Sequence, residues 1–195
     1  MIEERLLLSF GAKIIQLKKN DTLFFEGDKA IFFYQIKVGS IKMSNFSEDG
    51  KEFVQGIFNN GDSLGEPPLF GGFEYPASAT AQTITTVYSL PFDALKVLLK
   101  ENFEIQLEII ENFSKRLHYK AMMMREISSY NPEHRIISLL DYLKEKDHIE
   151  DDYCVSLTRQ QIANLTGLRV ETVIRSIKAL ESKGEIKIKN RDVYR

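Results

Sequence analysis

The 195-residue chain holds 43% hydrophobic and 28% charged residues at a net charge of −2, the balance of a globular protein with room for one or two cores. Its one cysteine, Cys154, excludes an internal disulfide and any multi-cysteine metal or iron–sulfur site, and no apolar run approaches a membrane span. The charge is uneven: residues 156–195 sum to +5 and the rest to −7, a basic module on an acidic body, as nucleic-acid binders show.

Met1–Arg5 carry neither the basic start nor the apolar stretch of a secretory signal, so a cytoplasmic protein is expected. Residues 11–90 read as strands and turns. Ala12–Lys18, Thr22–Phe25, Ile31–Val38, Ser40–Phe46, Lys51–Phe58 and Ile84–Leu90 are short and rich in β-branched and aromatic residues. Between them stand turn signals such as Asn20-Asp21, Glu26-Gly27-Asp28, Asn59-Asn60-Gly61-Asp62 and Gly71-Gly72. Short, evenly spaced strands predict a sandwich or jelly-roll barrel. No histidine falls in this region, and neither a nucleophile–base pair nor a phosphate loop appears. A sensing or structural barrel is expected: no enzyme, no catalytic or metal residues, and no cofactor.

From Pro91 the period becomes helical. Phe92–Leu99 leads into a long helix from about Phe103 to Ser128. There Ile110, Phe113, Leu117, Lys120, Met124 and Ile127 step by alternating threes and fours, a heptad seam with one polar interruption. A parallel homodimer is the expectation, and a helix that only covers its own barrel is the alternative. Ser128–Pro132 reads as a hinge, because proline disfavours helix before it and starts the next one well. Glu133–Lys146 is an amphipathic helix, and the acidic link His148–Asp152 leads to a strand over Tyr153–Leu157.

Ser156–Glu181 reads as a helix-turn-helix. Thr158 and Gln161 form a capping box, Ile162, Ala163 and Leu165 supply an apolar side, and Thr166-Gly167 breaks the first helix. The second runs from about Arg169 to Lys183 and stops at Gly184. Val173, Ser176, Ile177 and Leu180 share one arc of it; Glu171, Ile174, Arg175 and Lys178 share the other, with Val170 at its edge. The second arc suits base reading, since arginine bonds guanine in bidentate fashion, a carboxylate accepts from cytosine, and apolar groups touch thymine methyls. Arg169 and Thr172 in the first turn complete the candidate contacts. Glu185–Lys189 and Asp192–Tyr194 flank Asn190-Arg191 as a hairpin, the expected wing.

Barrel, seam helix and winged helix-turn-helix, in that order, resemble the Crp/Fnr family of bacterial transcription regulators over nearly the whole chain. LTRQQIA (Leu157–Ala163) and VETVIR (Val170–Arg175) carry the resemblance most specifically. It implies that Thr158, Arg159 and Gln160 hold phosphates and that Glu171 and Arg175 read a G·C pair. Val170 stands where many members have arginine, implying a different operator. GDSLGE (Gly61–Glu66) resembles the glycine-rich opening of a nucleotide cassette, which would put Gly65 and Glu66 at an effector pocket. Where cAMP-binding relatives place an arginine and a hydroxyl residue, this chain has Pro76 and Ala77; where they contact adenine, it has Lys120 and Ala121.

The expected architecture is α+β, with an effector barrel over residues 1–100, a dimerisation helix and hinge over 101–130, and a winged DNA-binding domain over 131–195. Expected partners are double-stranded DNA at an inverted repeat, a second copy of the chain, RNA polymerase and an unidentified small-molecule effector other than cAMP; no membrane is implied. A ligand-binding or scaffold module with weak DNA binding is the alternative.

Overall fold

The computed structural model describes every residue except Met1, Lys51, His148, Glu150 and Arg191. Lys51 of the fifth expected strand, His148 and Glu150 of the acidic link, and Arg191 of the wing turn therefore lie outside the described residues. The chain divides into two compact units, Met1–Asn112 and Phe113–Arg195.

The first unit is an antiparallel barrel of two four-stranded sheets. One has the order β1 (Lys13–Leu17), β8 (Thr85–Pro91), β3 (Phe32–Val38), β6 (Ser63–Leu64); the other has β2 (Thr22–Phe24), β7 (Ser78–Ala81), β4 (Ile41–Phe46), β5 (Glu52–Phe58). Aspartates close three of the turns, each accepting the backbone N–H three residues earlier: Lys18 to Asp21 at 2.8 Å, Phe25 to Asp28 at 2.9 Å and Asn59 to Asp62 at 2.8 Å. Leu17, Phe24, Tyr34, Ile36, Ile41, Leu64, Tyr75, Ala79, Ala81 and Val87 fill the space between the sheets. An interior so lined is a packed core, and its burial is the main force closing the barrel.

Four elements of this unit lie beyond the sequence expectations. They are α1 (Glu4–Ser9), β6, α2 (Glu66–Gly71) and β7. Two prolines open α2, where a missing N–H costs nothing, and Gly72 closes it at φ 71°. Strand β7, Ser-Ala-Thr-Ala, carries little β-propensity of its own and is held by ladders to β2 and β4 on either side. After β8 come α3 (Phe92–Glu101) and the long α4 (Phe103–Ser129), which supplies residues to both units.

In the second unit, α5 (Pro132–Lys146) follows α4 after two residues, with Asn131 as its N-cap accepting from His134 N at 3.0 Å. Then come β9 (Cys154–Val155), shorter than the expected strand, α6 (Arg159–Thr166), α7 (Val170–Ser182), and the hairpin β10 (Lys187–Lys189) with β11 (Asp192–Tyr194). Strand β11 pairs with both β10 and β9 in a three-stranded sheet. Buried Ile136, Leu139 and Leu140 of α5 and Ile162, Ala163 and Leu165 of α6 join Val173, Ile177 and Leu180 of α7 in one helical core.

Candidate nucleic-acid interface

The helix-turn-helix is built by local chemistry. Gln161 N donates to Thr158 Oγ1 at 3.2 Å, and Thr158 N donates to Gln161 Oε1 at 2.8 Å, so the capping box is made in both directions. Gly167 ends α6 at φ 69°, a conformation that costs glycine little, and its N–H is accepted by Ala163 O. Thr166, fully buried, turns its hydroxyl back onto Ile162 O at 2.6 Å. These bonds hold α6 and α7 apart by one tight turn.

Val173, Ser176, Ile177 and Leu180 are buried, which turns the opposite arc of α7 outward. Arg169, Glu171, Ile174, Arg175 and Lys178 are exposed, while Val170 and Thr172 at the first turn are half-buried. Thr158 and Gln160 at the start of α6 are exposed as well, and Gln160 Nε2 donates to Asn164 Oδ1 at 2.8 Å. Arg159 is half-buried; desolvation pushes its guanidinium pKa down, and the wing carboxylate of Asp192 pushes it back up. The wing is braced to the unit: Lys187 Nζ donates to Asp152 Oδ2 at 2.9 Å, and Arg195 grips Asp141 through Nε at 2.5 Å and Nη2 at 3.1 Å.

The barrel residues are more dispersed. Gly65 is buried at φ 87°, and Glu66 after it is buried at the first position of α2. Ala77 is fully buried, whereas Pro76 is exposed and its carbonyl accepts from Asn45 Nδ2 at 2.6 Å. Lys120 belongs to the second unit and is exposed. Tyr75, which the sequence reading passed over, stands beside Gly65: a Cβ on Gly65 would lie 3.3 Å from its ring. That ring stacks on Phe24 at 3.7 Å, and its hydroxyl donates to Phe32 O at 3.3 Å. Burial pushes the Tyr75 hydroxyl pKa up, with Tyr34, Asp28 and Glu66 adding to it. The only sequence signal for this role was an aromatic close after Gly71-Gly72.

Along α4 Ile110 at 57%, Leu117 at 71% and Met124 at 69% exposure face outward with Lys120 and Ile127, whereas Phe113 of the same expected seam is half-buried. Phe103, exposed too, falls on the same heptad spacing two positions toward the helix start, whereas exposed Leu107 lies one residue off it. Ile109 and Met123, off the seam, are buried.

Comparison with known proteins places these features in a family. Residues 14–102 match the cyclic nucleotide-binding domain and residues 134–194 the Crp-like helix-turn-helix domain. The chain is 30% identical over 169 residues to the cAMP-activated global transcriptional regulator CRP of Salmonella typhimurium, covering 85% of this chain and 80% of that one. It is 25% identical over 185 residues to the transcriptional activator protein anr of Pseudomonas aeruginosa, covering 91% and 74%. Among solved structures, the c-di-GMP-responsive global regulator CLP of Xanthomonas campestris superposes with a TM-score of 0.78 at 22% identity, over 97% of this chain and 95% of that one. With both family models matched and a 30% identical relative covered over most of its length, the chain belongs to the Crp/Fnr family and is a DNA-binding transcription regulator.

Proposed function

We propose that the regulator acts as a homodimer that reads an inverted-repeat operator in the cytoplasm and works with RNA polymerase. The observation that carries this reading is the outward arc of α7. Arg175, Glu171, Ile174 and Val170 present a fork, a carboxylate and two apolar groups, and a buried apolar arc holds them rigidly in place. Arg169, Thr172 and Lys178 border that arc, and Thr158, Arg159 and Gln160 at the start of α6 take the phosphates. Exposed Ile110, Leu117, Met124 and Ile127 on one heptad spacing of α4 support dimerisation, because apolar residues repeated along one helix face are stable in water chiefly when a second helix covers them. In functional terms the chain divides into an effector barrel (1–100), a dimerisation helix and hinge (101–130) and a winged DNA-binding domain (131–195).

The barrel serves an effector other than cAMP. A cyclic phosphate that leaves water needs charged donors to replace its hydrogen bonds. Pro76 has neither a side-chain donor nor an N–H, and Ala77 has no hydroxyl. The Tyr75 ring lies against Gly65, and the charges that act on Tyr75, Asp28 and Glu66, are both negative.

Selection of bound sequences from a random DNA pool tests the reading. Enriched sequences should carry an inverted repeat with half-site centres about one helical turn, ~34 Å, apart. Enrichment of single half-sites, or none beyond a salt-sensitive background, would overturn it.

A further inference from the structure

We propose that Arg135 is a positioning residue: it fixes the direction in which the DNA-reading helices leave the long helix, and thereby the spacing of the two half-sites. This rests on the dimeric reading above. Arg135 is the fourth residue of α5, and its guanidinium bonds backbone carbonyls outside that helix. Its Nη1 donates to Thr166 O at 3.1 Å, the carbonyl of the last residue of α6. Its Nη2 donates to Ile127 O at 3.1 Å, in the last turn of α4, and to Tyr130 O at 3.4 Å, in the two-residue link between α4 and α5.

Carbonyls at a helix C-terminus lack intrahelical donors and carry the negative end of the helix dipole. One planar guanidinium therefore caps two helices at once and locks their ends together, which a single-point ammonium cannot do. Its buried Nε finds no acceptor among the described residues, so these carbonyls are what orient the fork. A second tie lies beside it. The fully buried carboxylate of Glu126 on α4 bonds His134 Nδ1 at 2.6 Å, and Tyr130 stacks on the His134 ring at 4.1 Å. That tie joins α4 to α5 only. Arg135 alone of the two reaches α6, next to the turn that precedes the recognition helix.

One base-pair step along the duplex is about 3.4 Å, so a shift of each reading helix by about half that distance changes the preferred spacer by one base pair.

The test repeats the random-pool selection with the full-length protein, Arg135→Met and Arg135→Lys, and reads half-site sequence and spacer length separately. Circular dichroism verifies helical content for each. The wild-type protein is expected to enrich one spacer length. Arg135→Met, which keeps the stem and loses all donors, should enrich the same half-site over at least two neighbouring spacer lengths, and Arg135→Lys should fall between. A residue needed only for folding would lower enrichment without altering spacing. The same single spacer in both variants overturns the proposal, as does loss of the half-site preference itself with helical content intact. Should Arg135→Met fail to fold, the spacer length chosen by Arg135→Lys decides: broadened supports the proposal, unchanged overturns it. If the wild-type protein enriches no inverted repeat, the dimeric reading fails before Arg135 is tested.

Discussion

Replacing Leu117 and Met124 together with glutamate probes the α4 seam most directly. The two side chains are 71% and 69% exposed in the single chain, so about 70% of their surface is open to a partner helix. Fully burying such a side chain contributes about 1.5–3 kcal/mol, and about 70% of that is roughly 1–2 kcal/mol each. Two positions on two protomers then supply roughly 4–8 kcal/mol to the dimer, or about three to six decades in its dissociation constant. Glutamates facing one another across the seam add repulsion, about 4 kcal/mol for a pair 4 Å apart at an effective dielectric of 20. Neither side chain belongs to a buried core, so the fold of the protomer should survive. Sedimentation velocity at micromolar concentration and physiological salt should show wild-type dimers and variant monomers, with operator affinity lost in parallel. A double variant that still sediments as a dimer would refute the seam and move the interface elsewhere.

The reading residues separate by their response to sequence. Arg175→Ala should cost about 1–3 kcal/mol of operator affinity and relax the choice at one guanine, whereas Arg159→Ala should weaken operator and random DNA alike and reduce the salt slope by about one. Equal effects of both on both DNAs would reject these roles. Thr158→Ala removes one half of the capping box and should cost about 0.5–2 kcal/mol of local stability, read as faster amide exchange at Gln161. In calorimetry with cAMP and cGMP the wild-type protein should give no binding heat, and operator affinity should not change; micromolar affinity with a cAMP-dependent gain in DNA binding defeats the effector reading. Tyr75→Ala, which empties the barrel next to Gly65 and Phe24, should lower stability by about 3–5 kcal/mol in urea unfolding, the range for losing a buried aromatic ring.

Features made by neighbours along the chain can be read from the residues alone. Thr158 and Gln161 are three residues apart, and both bonds of their capping box are present at the expected N-terminus. Gly167 and Gly184 end their helices with positive φ, as glycine after an apolar period should. The buried arc of α7 and the exposed arc opposite follow from a 3.6-residue period, and the heptad spacing of α4 was legible for the same reason. The departures at Pro76 and Ala77 also needed no coordinates, because a missing donor is missing in any conformation.

Tertiary structure decided what depends on residues distant in sequence. Strand β7 exists because β2 and β4 supply its ladders, and the two-residue β6 because β3 pairs with it. Tyr75 becomes a barrel filler only when chain closure brings it onto Phe24 and Gly65. Arg135 becomes a clamp only when α6 packs back on α5 and offers the carbonyl of Thr166, 31 residues away. Propensity and periodicity act over a few residues and so are written locally, whereas burial and shared hydrogen bonds depend on which distant groups the packed core brings within about 3–4 Å of one another.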